Sequence, residues 1–271
     1  MHHLTPGTIL KHRYKITGVL DAISESPLYQ ARDLEWTDVN RLVAIREVVI
    51  PTKNDALHQQ IIDSFQQKAT QTANLNHPAI VEFQGYFNSY DRMYLVMKYV
   101  YGSSLELLMD NLKEPLPVNK VIEWAIDLCG ALNYLHSQQP EPIVFCDVTP
   151  AHILIDSLAR VTLRIPIEVI VFTMLSYLSR VGTEGYAAPE LYARQITPLT
   201  DIYSLGATLH HTLTRSDPRL EPPFSFLQRP IKQYNPNVPD ALAEIIDKAV
   251  QFDPKDRWQS AAEMKAALES L

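Results

Sequence analysis

The chain has 271 residues, 46% of them hydrophobic and 20% charged, with a formal net charge of −7. That composition suits a single large globular domain, in one lobe or two, with ample material for a core. The acidic balance argues against nucleic acid or an anionic membrane as partner, and two cysteines, Cys129 and Cys146, imply no disulfide framework.

No apolar run is long enough to span a bilayer, and Met1-His2-His3-Leu4-Thr5-Pro6 lacks the charged and apolar regions of a signal peptide. A cytoplasmic location without membrane insertion is the expectation. In chain order, residues 13–20 and 28–32 read as a pair of strands, and residues 42–50 as a third strand ended by Pro51. Residues 55–75, rich in Gln, Ala and Leu and free of Gly and Pro, predict a helix. Residues 81–87 and 93–100 predict two further strands. From Leu105 onward the pattern is mostly helical, with helices over 118–138, 200–214, 239–252 and 259–270. Strands first and helices afterwards predict an α+β chain of two unequal lobes. A small antiparallel β lobe with one long helix covers 1–100, and a larger, mainly helical lobe covers 101–271. The hinge falls near Tyr99-Val100-Tyr101-Gly102.

A series of short motifs runs along this frame. Val43-Ala44-Ile45-Arg46 lies on the third strand, Leu75-Asn76-His77-Pro78 follows the first helix, and Leu95 to Val100 leads into the hinge. Ala131 to His136 precedes Val144-Phe145-Cys146-Asp147-Val148-Thr149-Pro150-Ala151-His152. Gly182 to Glu190 ends in Ala188-Pro189-Glu190, and Asp201 to Gly206 and Asp253 to Trp258 complete the order. One such motif is weak, whereas the ordered series is specific. It resembles protein kinases, in particular bacterial serine/threonine kinases of eukaryotic type, and implies the two-lobed protein kinase-like fold.

The resemblance also marks departures. The family's catalytic loop reads His-Arg-Asp, four residues, then Asn. Here Phe145 and Cys146 take the first two positions, Asp147 retains the base position, Thr149 stands for a lysine, and His152 stands for the asparagine. Cys146 reads as an apolar stand-in rather than a nucleophile. Arg46 holds the phosphate-pairing lysine position, and Lys68 falls where its partner glutamate belongs. The turn Asp21-Ala22-Ile23-Ser24-Glu25-Ser26 has no glycine and carries two acids, which crowd and repel phosphate. The metal-binding Asp-Phe-Gly falls at Ile165-Pro166-Ile167, with Glu168 the nearest acid, so no metal site is assigned.

Leu20, Leu28, Ala44, Met97 and Leu154 match the adenine slot, with hinge backbone from Lys98, Tyr99 and Val100. That slot is read either as a weak, magnesium-free ATP site or as a collapsed core. Glu190 and Arg257 are implied to pair, and Asp201 to anchor the catalytic loop. The apolar run 169–178 reads as a plug over the site, with a partner-binding patch as its rival. The functional expectation is a catalytically impaired kinase-like domain, a pseudokinase serving as scaffold or allosteric module for an unidentified protein partner and requiring no cofactor. Its alternative is an active, atypical serine/threonine kinase.

Overall fold

Runs of apolar, β-branched and aromatic residues build the first part of the protein. The computed structural model describes residues 3–22, 26–36, 40–48, 59, 62–63, 72–89, 92–112, 114–165 and 182–271. The chain forms two compact units. The first comprises the described residues of 1–76 and 81–100, and the second those of 77–80, 101–169 and 180–271.

In the first unit, β1 (Ile9–Leu10), β2 (Tyr14–Asp21), β3 (Leu28–Asp33), β4 (Leu42–Val48), β5 (Phe83–Ser89) and β6 (Arg92–Lys98) form one antiparallel sheet, ordered β1-β2-β3-β4-β6-β5. One face carries an apolar cluster of Tyr14, Ile16, Tyr29, Ala31, Val43, Ile45, Phe87, Tyr94 and Val96. Phe87 stacks between Tyr14 and Tyr94, at centroid distances of 5.4 and 5.1 Å. Such offset pairs add to the stabilisation from burial alone. Because successive strand residues point to opposite faces, Arg46 and Glu47 diverge. Glu47, 1% exposed, accepts from the Tyr29 hydroxyl at 3.0 Å and pairs with Arg92.

In the second unit, β7 (Gly102–Ser104), β8 (Ile153–Asp156) and β9 (Val161–Leu163) form a small antiparallel sheet. The helices are α1 (Leu105–Asn111), α2 (Val118–His136), α3 (Pro189–Tyr192), α4 (Pro198–Thr214), α5 (Ile231–Tyr234), α6 (Asp240–Ala249) and α7 (Ala261–Glu269). Helix α2 buries Val121, Trp124, Leu128, Leu132 and Leu135, the spacing of a helix with one core face. Helix α4 starts at Pro198 with a reciprocal Thr197–Thr200 cap and is buried at every residue from Thr200 to Thr214. Gly206 permits this, because a Cβ there would lie 2.8 Å from Ala249 Cβ of α6.

The main strands and helices fall where the sequence pattern places them, within a few residues at their ends. Strands β1, β7 and β8 went unpredicted because two to four residues show no period. Of the helix expected over 55–75, the described residues 59, 62–63 and 72–73 are helical. Among the described residues, no helix is long and apolar enough to cross a membrane.

Two buried histidines in α4 make stability depend on pH. His210 Nε2 donates to the Arg229 carbonyl at 2.8 Å, and His211 Nδ1 lies 2.6 Å from the Tyr186 hydroxyl. Burial pushes both pKa values down from 6.5 to about 4. Between those values the unfolded chain binds the extra protons, so stability falls as pH drops from 6.5 towards 4 and these groups add nothing below. The ceiling is roughly 3 kcal/mol for each histidine. Urea unfolding at pH 7, 5.5 and 4.5 checks this: the slope over that window should shrink when His210 and His211 are both replaced by Gln.

Candidate functional site

The segment 145–152 of the second unit is held in place from α4. Asp201 and Thr208 lie seven residues apart, two helical turns, and so share one face. The fully buried Asp201 carboxylate accepts from Phe145 N–H at 2.8 Å and Cys146 N–H at 2.6 Å, and its Oδ2 also lies 2.8 Å from His136 Nε2. Thr208 Oγ1 donates to the Val148 carbonyl at 2.6 Å. Between these anchors Cys146 adopts φ +63°, and Asp147 N–H donates back to Phe145 O at 2.9 Å. A non-glycine residue in this conformation costs on the order of 1–3 kcal/mol, which the charge-assisted bonds from Asp201 offset. The Cys146 thiol is buried, and that burial pushes its pKa up, so it is a poor nucleophile at neutral pH.

This tight turn presents Asp147. Its Oδ1 accepts from Thr183 N–H at 2.8 Å, and its Oδ2 accepts from the Thr183 hydroxyl at 3.1 Å. His152 Nδ1 lies 3.2 Å from Oδ2 and 3.0 Å from the Asp147 carbonyl. Both neighbours are acceptors, so Nδ1 carries the hydrogen. Burial pushes the Asp147 pKa up, but the bond from His152 and then those from Thr183 outweigh it. The carboxyl is therefore held below the usual range and is ionised at neutral pH. Thr149 is buried, with its hydroxyl 3.2 Å from His152 Nδ1.

Glu190 and Arg257 meet in the same unit as a buried bidentate pair, with N–O distances of 2.7 and 2.8 Å. Arg257 also donates to the carbonyls of Gln251, Phe252 and Leu199. Its guanidinium lies 4.8 Å from the centre of the Tyr203 ring.

In the first unit, strand register places Leu28 beside Arg46, and Ala44 beside Met97. Residues two apart on a strand share a face, so these four form one patch, opposite to the Tyr29–Ile45 cluster. Arg46 is 7% exposed, and its Nη1 donates to the Ser26 carbonyl at 2.6 Å and approaches Asp21 Oδ2 at 3.4 Å. Leu20 lies at a register shift between Val19 and Asp21 and is exposed. Lys98 N–H is committed to the Glu82 carbonyl at 2.9 Å, and Tyr99 and Val100, beyond the end of β6, are half-buried. Leu154 lies in β8 of the second unit and is half-buried.

Lys68, Glu168, most of the Asp-Phe-Gly position and the apolar run 169–178 lie outside the described residues. Among the described residues, no three His, Cys, Asp or Glu side chains converge where a metal ion could sit. His152, with the hydrogen on Nδ1 turned towards Asp147, offers no lone pair on that side. The described part of the loop therefore does not fit a magnesium ion. The Arg46 guanidinium already carries an anion, the Asp21 carboxylate at 3.4 Å.

Sequence reasoning missed Thr183, Thr208, His136 and the Asp21–Arg46 contact. Thr208 left a weak signal, its seven-residue spacing from Asp201 along one helix.

The family model for the protein kinase domain matches residues 33–268. A probable serine/threonine-protein kinase of Clostridium perfringens is 30% identical over 98% of this chain and 39% of its own length. PknB of Mycobacterium leprae, a serine/threonine-protein kinase, is 29% identical over 96% of the chain and 43% of its own length. PrkC of Bacillus subtilis, also a serine/threonine-protein kinase, is 28% identical over 97% and 41%. The chain thus spans about two fifths of the length of these relatives. Among solved structures, the PknI kinase domain of Mycobacterium tuberculosis is similar with a TM-score of 0.75, at 23% identity over 99% of both chains. The apo form of PpkA-294 is similar with a TM-score of 0.78, at 22% identity over 98% of this chain and 99% of that one. At these identities the structural matches speak for the fold alone.

The relatives correct the expectation of a catalytically impaired pseudokinase scaffold, because the proteins matched along nearly the whole chain are named as serine/threonine-protein kinases. The physical reason lies in how the loop is held. Asp201 bonds the backbone N–H groups of residues 145 and 146, so the side chains at those positions can change while the turn that presents Asp147 persists.

Proposed function

The chain belongs to the protein kinase family, and from that premise we propose that it is an active, atypical serine/threonine protein kinase domain that transfers the γ-phosphate of ATP to protein hydroxyls. The observation that carries this reading is the Asp147 carboxylate, bonded by Thr183 and His152 on a turn that Asp201 pins through two backbone bonds.

Phosphoryl transfer asks the protein mainly for positioning and charge stabilisation. Asp147 orients a serine or threonine hydroxyl through the lone pairs that Thr183 and His152 leave available, and accepts its proton as the new oxygen–phosphorus bond forms and the bond from the γ-phosphorus to the bridging oxygen breaks, releasing ADP. His152 holds the base from the Asn position: its Nδ1–H ties the Asp147 carbonyl and carboxylate together. Arg46 supplies fixed positive charge to the phosphates, as a planar fork in place of a compact ammonium.

The test is transfer of label from γ-labelled ATP to a serine- and threonine-rich acceptor protein, with magnesium or manganese present. Label on serine or threonine is expected. An acceptor that stays unlabelled at stoichiometric enzyme overturns the proposal.

A further inference from the structure

Asp21 closes β2, Leu28 opens β3, and Arg46 lies on β4. Register pairs Asp21 with Leu28, and Leu28 with Arg46, so the three form one lateral row across the sheet. Side chains in such a row share a face and reach one another. The row therefore sets a carboxylate beside a guanidinium that is 7% exposed, at 3.4 Å. The Ser26 carbonyl holds the same Nη1 at 2.6 Å. Asp21 is the more exposed partner, at 30% of its side chain against 8% for Arg46.

We infer that Asp21 is a built-in counter-ion to Arg46 that incoming phosphate displaces, and so sets the affinity of this chain for a triphosphate. The inference rests on the reading of Arg46 as the phosphate-facing residue. In the resting protein the carboxylate neutralises Arg46 in place of a ligand. A triphosphate must first break that pair, and then meets the displaced carboxylate as a like charge nearby. The arrangement selects for ligands with enough negative charge to outcompete one carboxylate, and disfavours monoanions.

The experiment titrates inorganic tripolyphosphate, without metal, into the wild-type chain, Asp21→Asn and the double variant Asp21→Asn/Arg46→Met, by calorimetry and by ligand-induced shift in melting temperature. Adenosine serves as the uncharged control. Asp21→Asn is expected to bind tripolyphosphate on the order of tenfold tighter than wild type, the effect of one nearby like charge removed. Its ligand-induced melting shift should be larger in step. Adenosine binding should not change between the two, and the double variant should lose the gain. Asp21→Ser carries the same expectation if Asp21→Asn does not fold. Equal tripolyphosphate binding by wild type and Asp21 variants, absence of binding to all, or a gain that survives loss of Arg46 would overturn the inference. Failure of phosphate transfer by the wild-type chain would strike the kinase reading and leave these binding differences standing.

Discussion

Asp147→Asn is expected to lower phosphate transfer by about 10²- to 10⁴-fold while leaving the fold intact, the range that a positioned general base contributes. The amide has nearly the shape of the carboxylate, and its oxygen can still accept from Thr183 N–H, which now bonds Oδ1 at 2.8 Å. What it lacks is the charge to take a proton and the second acceptor for the Thr183 hydroxyl and His152. The turn itself should survive, because its anchors are Asp201 and Thr208 on α4 rather than Asp147. Circular dichroism and melting should therefore match wild type within a few degrees while the rate collapses. A variant that retains wild-type transfer would remove Asp147 from the reaction.

Arg257→Met should destabilise the second unit by about 3–5 kcal/mol, because it strands the Glu190 carboxylate in the interior. Glu190 is 8% exposed, and its other described donor is the Thr200 hydroxyl at 3.3 Å. The substitution also deprives the carbonyls of Gln251, Phe252 and Leu199 of a donor. For a unit of this size the loss corresponds to a fall in melting temperature on the order of 10 °C. The double variant Arg257→Met/Glu190→Leu should recover part of it, since an apolar pair leaves no charge buried. Chemical denaturation of the three proteins checks this, and a single variant within 1 kcal/mol of wild type would show that the pair contributes little.

The sequence made strands legible where β-branched and apolar residues ran on between turn residues, as in β4, which is buried from Val43 to Val48. It made α2 legible through its apolar stripe. Helix α4 was legible in position but not in burial: Thr208, His210 and Thr212 look like solvent-facing residues in the sequence, yet each bonds a carbonyl in the core. The motif order set Glu190 against Arg257 and Asp201 on the loop, and the structure shows both sets of contacts. It could not show how the loop is shaped, because Asp201 holds it by its backbone N–H groups, whatever side chains stand at 145 and 146. Phe145 and Cys146 looked like losses, yet the bonds that shape the turn come from their N–H groups. Asp21 looked like a repulsive acid in a defective phosphate loop. Strand register places it in the same lateral row as Arg46, with its carboxylate 3.4 Å from the guanidinium.

The most direct measurement of the central claim is a single-turnover experiment with γ-labelled ATP, a protein acceptor and enzyme in excess, run side by side with wild-type chain and Asp147→Asn. Labelled phosphoserine or phosphothreonine from the wild type, with transfer at least about a hundredfold slower in the variant, is the predicted result. Equal transfer by both proteins, or none by either, would contradict it.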